Sequence, residues 1–173
     1  DIVVRGVSAD KDEVKITLAG VPDHPGVAAR LFKDLAGASI NIDMIVQNIS
    51  AQGMTDISFT VPEEDLAKTR HVMQAAAKDV GVHAVNVDAD IAKVSIVGVG
   101  MRGHSGVAFQ MFKTLAEQGI NILMISTSEI KISVIVRKAL ADKAVIALHK
   151  AFRLDKSRVA RGKSAAKTKV RRI

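Results

Sequence analysis

The sequence predicts an α+β chain in which one small module of strands and helices is written twice. Three observations carry that expectation. Val14 to Asn48 recurs as Val94 to Ser128 at a constant offset of 80, with sixteen of the thirty-five aligned positions identical. A repeat of this kind sets the architecture before any single element does. Within each copy the apolar residues pass from a period of two to a period near 3.6 and back, as strands and helices require. Finally, the 173 residues are 48% apolar, enough for two small cores. With five Phe and neither Trp nor Tyr, those cores must be aliphatic.

Taken in order, Ile2–Val7 reads as a short strand and Ser8–Glu13 as a charged turn. Val14–Val21 is a strand with apolar residues at 14, 16 and 18, broken by the turn chemistry of Pro22–Gly26. A helix is predicted from Pro25 to Ala36, its stripe formed by Val27, Ala28, Leu31, Phe32 and Leu35, with Gly37 as the stop. Ile40–Ser50 and Met54–Val61 alternate as two strands of a hairpin turning at Ala51-Gln52-Gly53. Pro62 followed by three acids starts a second helix that runs to Asp79, since early acids meet the positive end of the helix dipole. Val82–Val87 closes the module. The second copy repeats the order: strand Ala92–Val99, helix Gly106–Gln118, strands Ile122–Ser128 and Lys131–Val136, helix Leu140–Phe152.

Strand, helix, strand, strand, helix, strand is the ferredoxin-like order, a four-stranded antiparallel sheet with both helices on one face. The second copy ends one strand short, whereas the first is preceded by one strand too many. An open sheet edge is a liability that chains cover, so Ile2–Val7 is expected to pair into the second sheet. The expected organisation is a strand over residues 1–8, a first domain over 14–88, a second over 91–154, and a basic, disordered tail over 155–173.

The net charge of +7 belongs to that tail. Residues 153–173 hold nine Lys or Arg against one acid, and the remainder holds sixteen basic and seventeen acidic groups. A basic tail can bind nucleic acid, but with no aromatic residues to stack on bases a solvated C-terminus is the simpler expectation. The absence of Cys excludes disulfides and thiolate metal sites and fits a cytoplasmic location. No membrane span or signal peptide is visible. The chain begins with Asp, which suggests a piece of something longer.

Gly98-Val99-Gly100-Met101-Arg102-Gly103 is a literal G-x-G-x-x-G motif. The first copy keeps only its middle glycine, Gly20, and strands joined as a hairpin do not build a dinucleotide crossover, so no such cofactor is expected. His24 and His104 lie 80 residues apart without further ligands, and no metal is expected. The repeated strand-to-helix loops are the better lead. Pro25-Gly26-Val27-Ala28 and Ser105-Gly106-Val107-Ala108 each place Gly at a helix N-terminus, where unpaired N–H groups accept a carboxylate or phosphate. In the first copy Asp43 supplies a carboxylate for an ammonium, with Gln47 expected on the same strand face. Together these are the two halves of a site for a zwitterionic amino acid.

At these residues the chain resembles the regulatory part of bacterial aspartate kinases, a pair of ACT domains. The resemblance rests on Val-Pro-Asp-His-Pro-Gly-Val-Ala from Val21, Ile-Asn-Ile-Asp-Met-Ile-Val-Gln-Asn from Ile40, Val-Ser-Ile-Val-Gly-Val-Gly-Met from Val94, and Ile-Ser-Thr-Ser-Glu-Ile-Lys-Ile-Ser-Val from Ile125. It implies an allosteric region that binds lysine and/or threonine at interfaces between ACT domains and inhibits the kinase. Effector contacts are then expected at Asp23, His24, Pro25, Gly26, Val27, Ala28, Asn41, Ile42, Asp43 and Gln47 in the first module. In the second they fall on Val107, Ala108, Asn121, Ile122, Ser128 and Glu129. Ser50, Ser58 and Ser128 are candidate positions for substitutions that release inhibition. Ser105 and Leu123 depart from the first copy's Pro25 and Asp43, so the two sites should differ. The resemblance also implies a homodimer through the ACT domains and a catalytic kinase domain or α subunit as partner. ATP and magnesium are expected only on that partner, so this chain alone should not transfer phosphate. Two other readings are an ACT-type sensor of another pathway and a nucleic-acid-binding protein acting through its tail.

Overall fold

Apolar residues at alternate positions drive two antiparallel sheets, each covered on one face by two amphipathic helices. The structure, a computed structural model, describes residues 3–49, 52–101 and 104–154. The first module comprises β2 (Glu13–Pro22), α1 (Val27–Gly37), β3 (Ile45–Ile49), β4 (Met54–Pro62), a 3-10 turn at Glu63–Asp65, α2 (Leu66–Val80) and β5 (Ala84–Asp88). The second comprises β6 (Ile91–Gly98), α3 (Gly106–Glu117), β7 (Met124–Thr127), β8 (Lys131–Arg137), a 3-10 turn at Lys138–Leu140 and α4 (Ala141–Ala151). Before both comes β1 (Val4–Asp10).

The sheet orders are β5-β2-β4-β3 and β1-β6-β8-β7, with every pair antiparallel. Both are the ferredoxin-like order, and β1 occupies in the second sheet the place that β5 occupies in the first. The N-terminal strand thus completes the second module. It runs further than the sequence suggested: Ser8, Ala9 and Asp10 pair with Ser95, Val94 and Lys93, and the turn shrinks to Lys11–Asp12. There the Asp12 amide donates to Asp10 Oδ1 at 2.9 Å, an Asx turn that needs no more residues.

The predicted strand over Ile40–Ser50 begins only at Ile45. Regular alternation would put Ile40, Ile42 and Met44 on one face. Instead Ile40 and Ile42 pack into the first core, and Met44 turns into an apolar cluster between the modules. The chain bends around Thr60 to do so: the Asp43 amide donates to Thr60 O, the Thr60 amide to Met44 O, and the Met44 amide to Thr60 Oγ1. Ser50, part of the predicted strand, and the tail from 155 lie outside the described residues.

α1 does end at Gly37, but Gly37 does not take the left-handed conformation that closes such helix ends. That conformation falls on Ser39 (φ 57) and on its repeat equivalent Gly119 (φ 67). In each copy the following isoleucine amide, Ile40 or Ile120, returns to the carbonyl of Leu35 or Leu115, closing the helix as a Schellman cap does. The first core centres on Ile16, Leu18, Leu31, Leu35, Phe59 and Met73, and the second on Ile96, Met111, Leu115, Val134 and Leu148. Phe32 and Phe59 meet edge to face, centroids 5.2 Å apart, the arrangement aromatic quadrupoles favour.

The modules meet through equivalent elements, β2 against β6 and β3 against β7. Met44 and Met124, 80 residues apart, share a small cluster with Ile91 and Ile135. Beside it Glu13 of β2 faces its own equivalent, Lys93 of β6, at 3.3 Å. The duplicated copies therefore pack about a local two-fold relation, the manner in which identical subunits make an isologous contact.

Candidate functional site

In the second module, α3 starts after Ser105 with no side-chain cap; the Val107 amide donates to His104 O at 3.2 Å, and the amides that follow in the first turn have no side-chain acceptor. A cavity of about 420 Å³ opens at this helix end. Val107 and Ala108 line it from α3, and Thr127, Ser128 and Glu129 line it from the hairpin. The Ser128 amide donates to Lys131 O at 2.8 Å, which fixes the turn. The start of α3 and the polar residues Thr127, Ser128 and Glu129 thus lie on opposite sides of one open cavity. Four of the expected residues of this module, Val107, Ala108, Ser128 and Glu129, converge here. Asn121 is exposed, and Ile122 packs against the core. Reasoning from sequence missed Thr127, though the offset of 80 pointed to it as the equivalent of Gln47. The same offset also relates His104 and Ser105, which line the cavity too, to His24 and Pro25.

In the first module, Gly26 adopts φ 91 ahead of α1, again with no side-chain cap. That left-handed conformation suits Gly and is costly for any residue with a Cβ. Asp23, His24, Pro25, Gly26 and Ala28 are exposed, while Val27 is buried in the core. The loop is held to the β3–β4 hairpin through the Asp23 amide and Gly53 O, 2.9 Å. Gln47 and Asn41 are exposed, and Ile42 packs inward. Ser58 lies on β4, its hydroxyl 3.0 Å from Thr17 Oγ1.

Asp43 requires a correction. It does not share a strand face with Gln47. Gln47 pairs across from Ile57 in β4, whose side chain belongs to the first core. Asp43 precedes the strand, and its carboxylate accepts a hydrogen bond from Lys93 Nζ of the second module. The ammonium beside Asp43 is thus one from the same chain. Although burial opposes it, hydrogen bonds from Glu13 and Lys93 hold the Asp43 carboxyl below the usual range. Burial likewise works against the Lys93 ammonium, yet the hydrogen bond to Asp43 and the charge of Glu13 raise its pKa.

The glycines of the G-x-G-x-x-G motif have structural duties. Gly98 lets β1 approach, since a Cβ there would lie 2.1 Å from the Val3 carbonyl oxygen. Gly100, like its equivalent Gly20, takes a positive φ. Gly103 lies outside the described residues. Among the described residues no group of three or more His, Asp or Glu could hold a metal ion, and no helix is long and apolar enough to cross a membrane.

Duplicated ferredoxin-like modules, each with a helix end that no side chain caps, define the class of chain as a tandem of small α+β domains. The ACT domain family matches residues 14–76 and 94–152, and the chain belongs to that family, in the tandem form of aspartate kinase regulatory regions. An aspartate kinase of Pseudomonas fluorescens is 50% identical over 153 residues, 88% of this chain and 37% of the relative. The chain thus spans a little over a third of the curated relatives it matches. A crystal structure of aspartokinase alpha and beta subunits is similar at 47% identity and a TM-score of 0.81, covering 87% of this chain and 99% of that one. The ligand-free regulatory subunit of Thermus thermophilus aspartate kinase is similar at 39% identity and a TM-score of 0.83, again over 87% and 99%.

Proposed function

We propose that this chain senses an end-product amino acid, lysine and/or threonine, and conveys its binding to a catalytic kinase domain or α subunit as feedback inhibition. The observation that carries the reading is the cavity that Thr127, Ser128 and Glu129 line together with the start of α3, a helix end that no side chain caps. An α-carboxylate is suited to the helix end, and the Glu129 carboxylate is suited to an ammonium. The two modules offer unequal sites, the second the more complete within one chain, since Val107, Ala108, Ser128 and Glu129 line one cavity there. The first module's exposed loop and the edge strand β3, where Ile45 and Ile49 are exposed, suit a site completed by a second copy of the chain. An effector inhibits only by favouring one packing over another, and the contact between the modules supplies a packing to act on. The relative solved as alpha and beta subunits supports a kinase partner.

The test is a thermal melt with lysine, threonine, methionine or aspartate, followed by circular dichroism because the chain has neither Trp nor Tyr. At a ligand concentration one hundred times Kd the stabilisation is about 2.7 kcal/mol, a rise of roughly 5–10 °C for a chain of this size. A rise with lysine or threonine alone is the expected result. The same midpoint with all four would reject the sensor reading for the isolated chain.

A further inference from the structure

The contact between the modules encloses a carboxyl group that its position does not suit as an anion. Glu13 is 5% exposed. Its Oε1 faces Lys93 Nζ at 3.3 Å, and its Oε2 is buried with no donor to accept from while Glu13 is ionised. The same ammonium already serves Asp43, so two carboxylates of the first module share one cation of the second. With both acids ionised the cluster carries a net negative charge next to Met44, Met124, Ile91 and Ile135. A single proton removes that charge and turns Glu13 into a donor toward Asp43.

We infer that packing of the two modules is proton-linked through Glu13: the closed contact holds Glu13 as a carboxylic acid between Asp43 and Lys93, and its ionisation loosens the contact. Burial, with the hydrogen bond and charge of Asp43, pushes the Glu13 carboxyl up to about 7 from the ordinary 4.5, against the attraction of Lys93 and the Thr60 hydroxyl. Opening the contact returns Glu13 to water and to its ordinary range, so closing takes up a proton near neutrality. Because the folded value is raised, the contribution of Glu13 is complete below about pH 4.5 and is lost as the pH climbs to about 7. Asp43, held low, contributes above 3.8 and loses that contribution only as acid protonates it. Lys93, held high, loses its contribution only above 10.5.

The other charges around the cluster do not replace this one. β1 brings Asp10 opposite Lys93, where its Oδ1 accepts from the Asp12 amide. β2 and β5 set Lys15 opposite Asp88. β8 contributes Arg137, committed to Asp88 at 2.7 Å, and Lys131, whose charge favours ionised Asp43. β4 offers the uncharged Thr60. The repeat gives the reason for the pairing: Glu13 and Lys93 are equivalent positions, and two identical acids there would repel across the local two-fold. If the sensor reading holds, an effector that favours the closed packing binds with a pH-dependent affinity, but the test below needs no effector.

Urea midpoints of the wild-type chain and of Glu13→Gln, measured from pH 5 to pH 8.5, are the experiment. The wild type should lose stability up to about pH 7, and Glu13→Gln, neutral throughout and still able to donate to Asp43, should show that loss abolished. An equal slope in both chains overturns the inference. Should Glu13→Gln fail to fold, a carbon-detected NMR titration of the wild-type side-chain carboxyl decides: a midpoint near 7 supports the link, and one near 4.5 overturns it.

Discussion

Replacing Gly98 by alanine should unseat the start of β1. The added Cβ would lie 2.1 Å from the Val3 carbonyl oxygen and 2.9 Å from its carbon, both backbone atoms with no rotamer to escape into. Carbon tolerates oxygen at about 3.3 Å, so the strand must withdraw by roughly 1 Å. Withdrawal breaks the hydrogen bond from the Val99 amide to Val3 O, 3.0 Å, worth about 0.5–1.5 kcal/mol. It also lifts Val3 and Val4 partly off the second core. Full exposure of a buried valine costs about 1.5–3 kcal/mol, and taking half of that for each gives a total loss of roughly 2–4 kcal/mol. Urea unfolding followed by far-ultraviolet circular dichroism measures the loss, and amide exchange at Val99 reports where it arises. Gly37→Ala serves as the comparison, because nothing lies within 4 Å of a Cβ there and a helix prefers alanine. Stability within about 0.5 kcal/mol of the wild type, with Val99 still protected, would refute the close-approach argument.

Lys93→Met removes the cation that holds the Glu13 carboxyl down to about 7. The decline of stability with rising pH, complete near neutrality in the wild type, should then continue above pH 7 in urea titrations. Ser39→Gly relieves a left-handed serine at a position where the second copy already has Gly119. A gain of up to about 1 kcal/mol is expected from the melting midpoint, the relief of a left-handed Cβ being partly offset by chain entropy. Glu129→Gln keeps the shape of the cavity lining while removing a charge-assisted hydrogen bond to an ammonium. Calorimetry should show lysine or threonine binding weakened about tenfold or more.

Much of the fold was legible because the repeat transfers between copies. Counting strands was enough to assign β1 to the second sheet, since an unpaired strand and an unpaired edge have one economical solution. Thr127 was legible in principle by the same offset, as the equivalent of Gln47. The strand at Ile40–Ser50 was less so, because its alternation breaks where Met44 turns to the other module, and nothing local signals which core will claim a methionine. Asp43 was the least legible. Its motif suits an external ammonium, but its direction depends on Lys93, 50 positions away and in another sheet. One signal was present: positions 13 and 93 align in the repeat and carry opposite charges, as partners across a two-fold contact can.

The placement of β1 makes the first module an insertion within the second. β1 and β6 are neighbouring antiparallel strands, and the whole first module lies between Asp10 and Ile91. Each crossing is short: Lys11–Asp12 leads in, and Ala89–Asp90 leads out. While the first module is folded, it acts as a rigid clasp that holds the two ends of a hairpin loop together. When it melts, that clasp becomes a flexible loop of 80 residues, and closing such a loop instead of one of a few residues costs on the order of 2–3 kcal/mol. The second module is therefore expected to lose much of its own margin whenever the first unfolds, so that the duplicated halves denature as one cooperative unit.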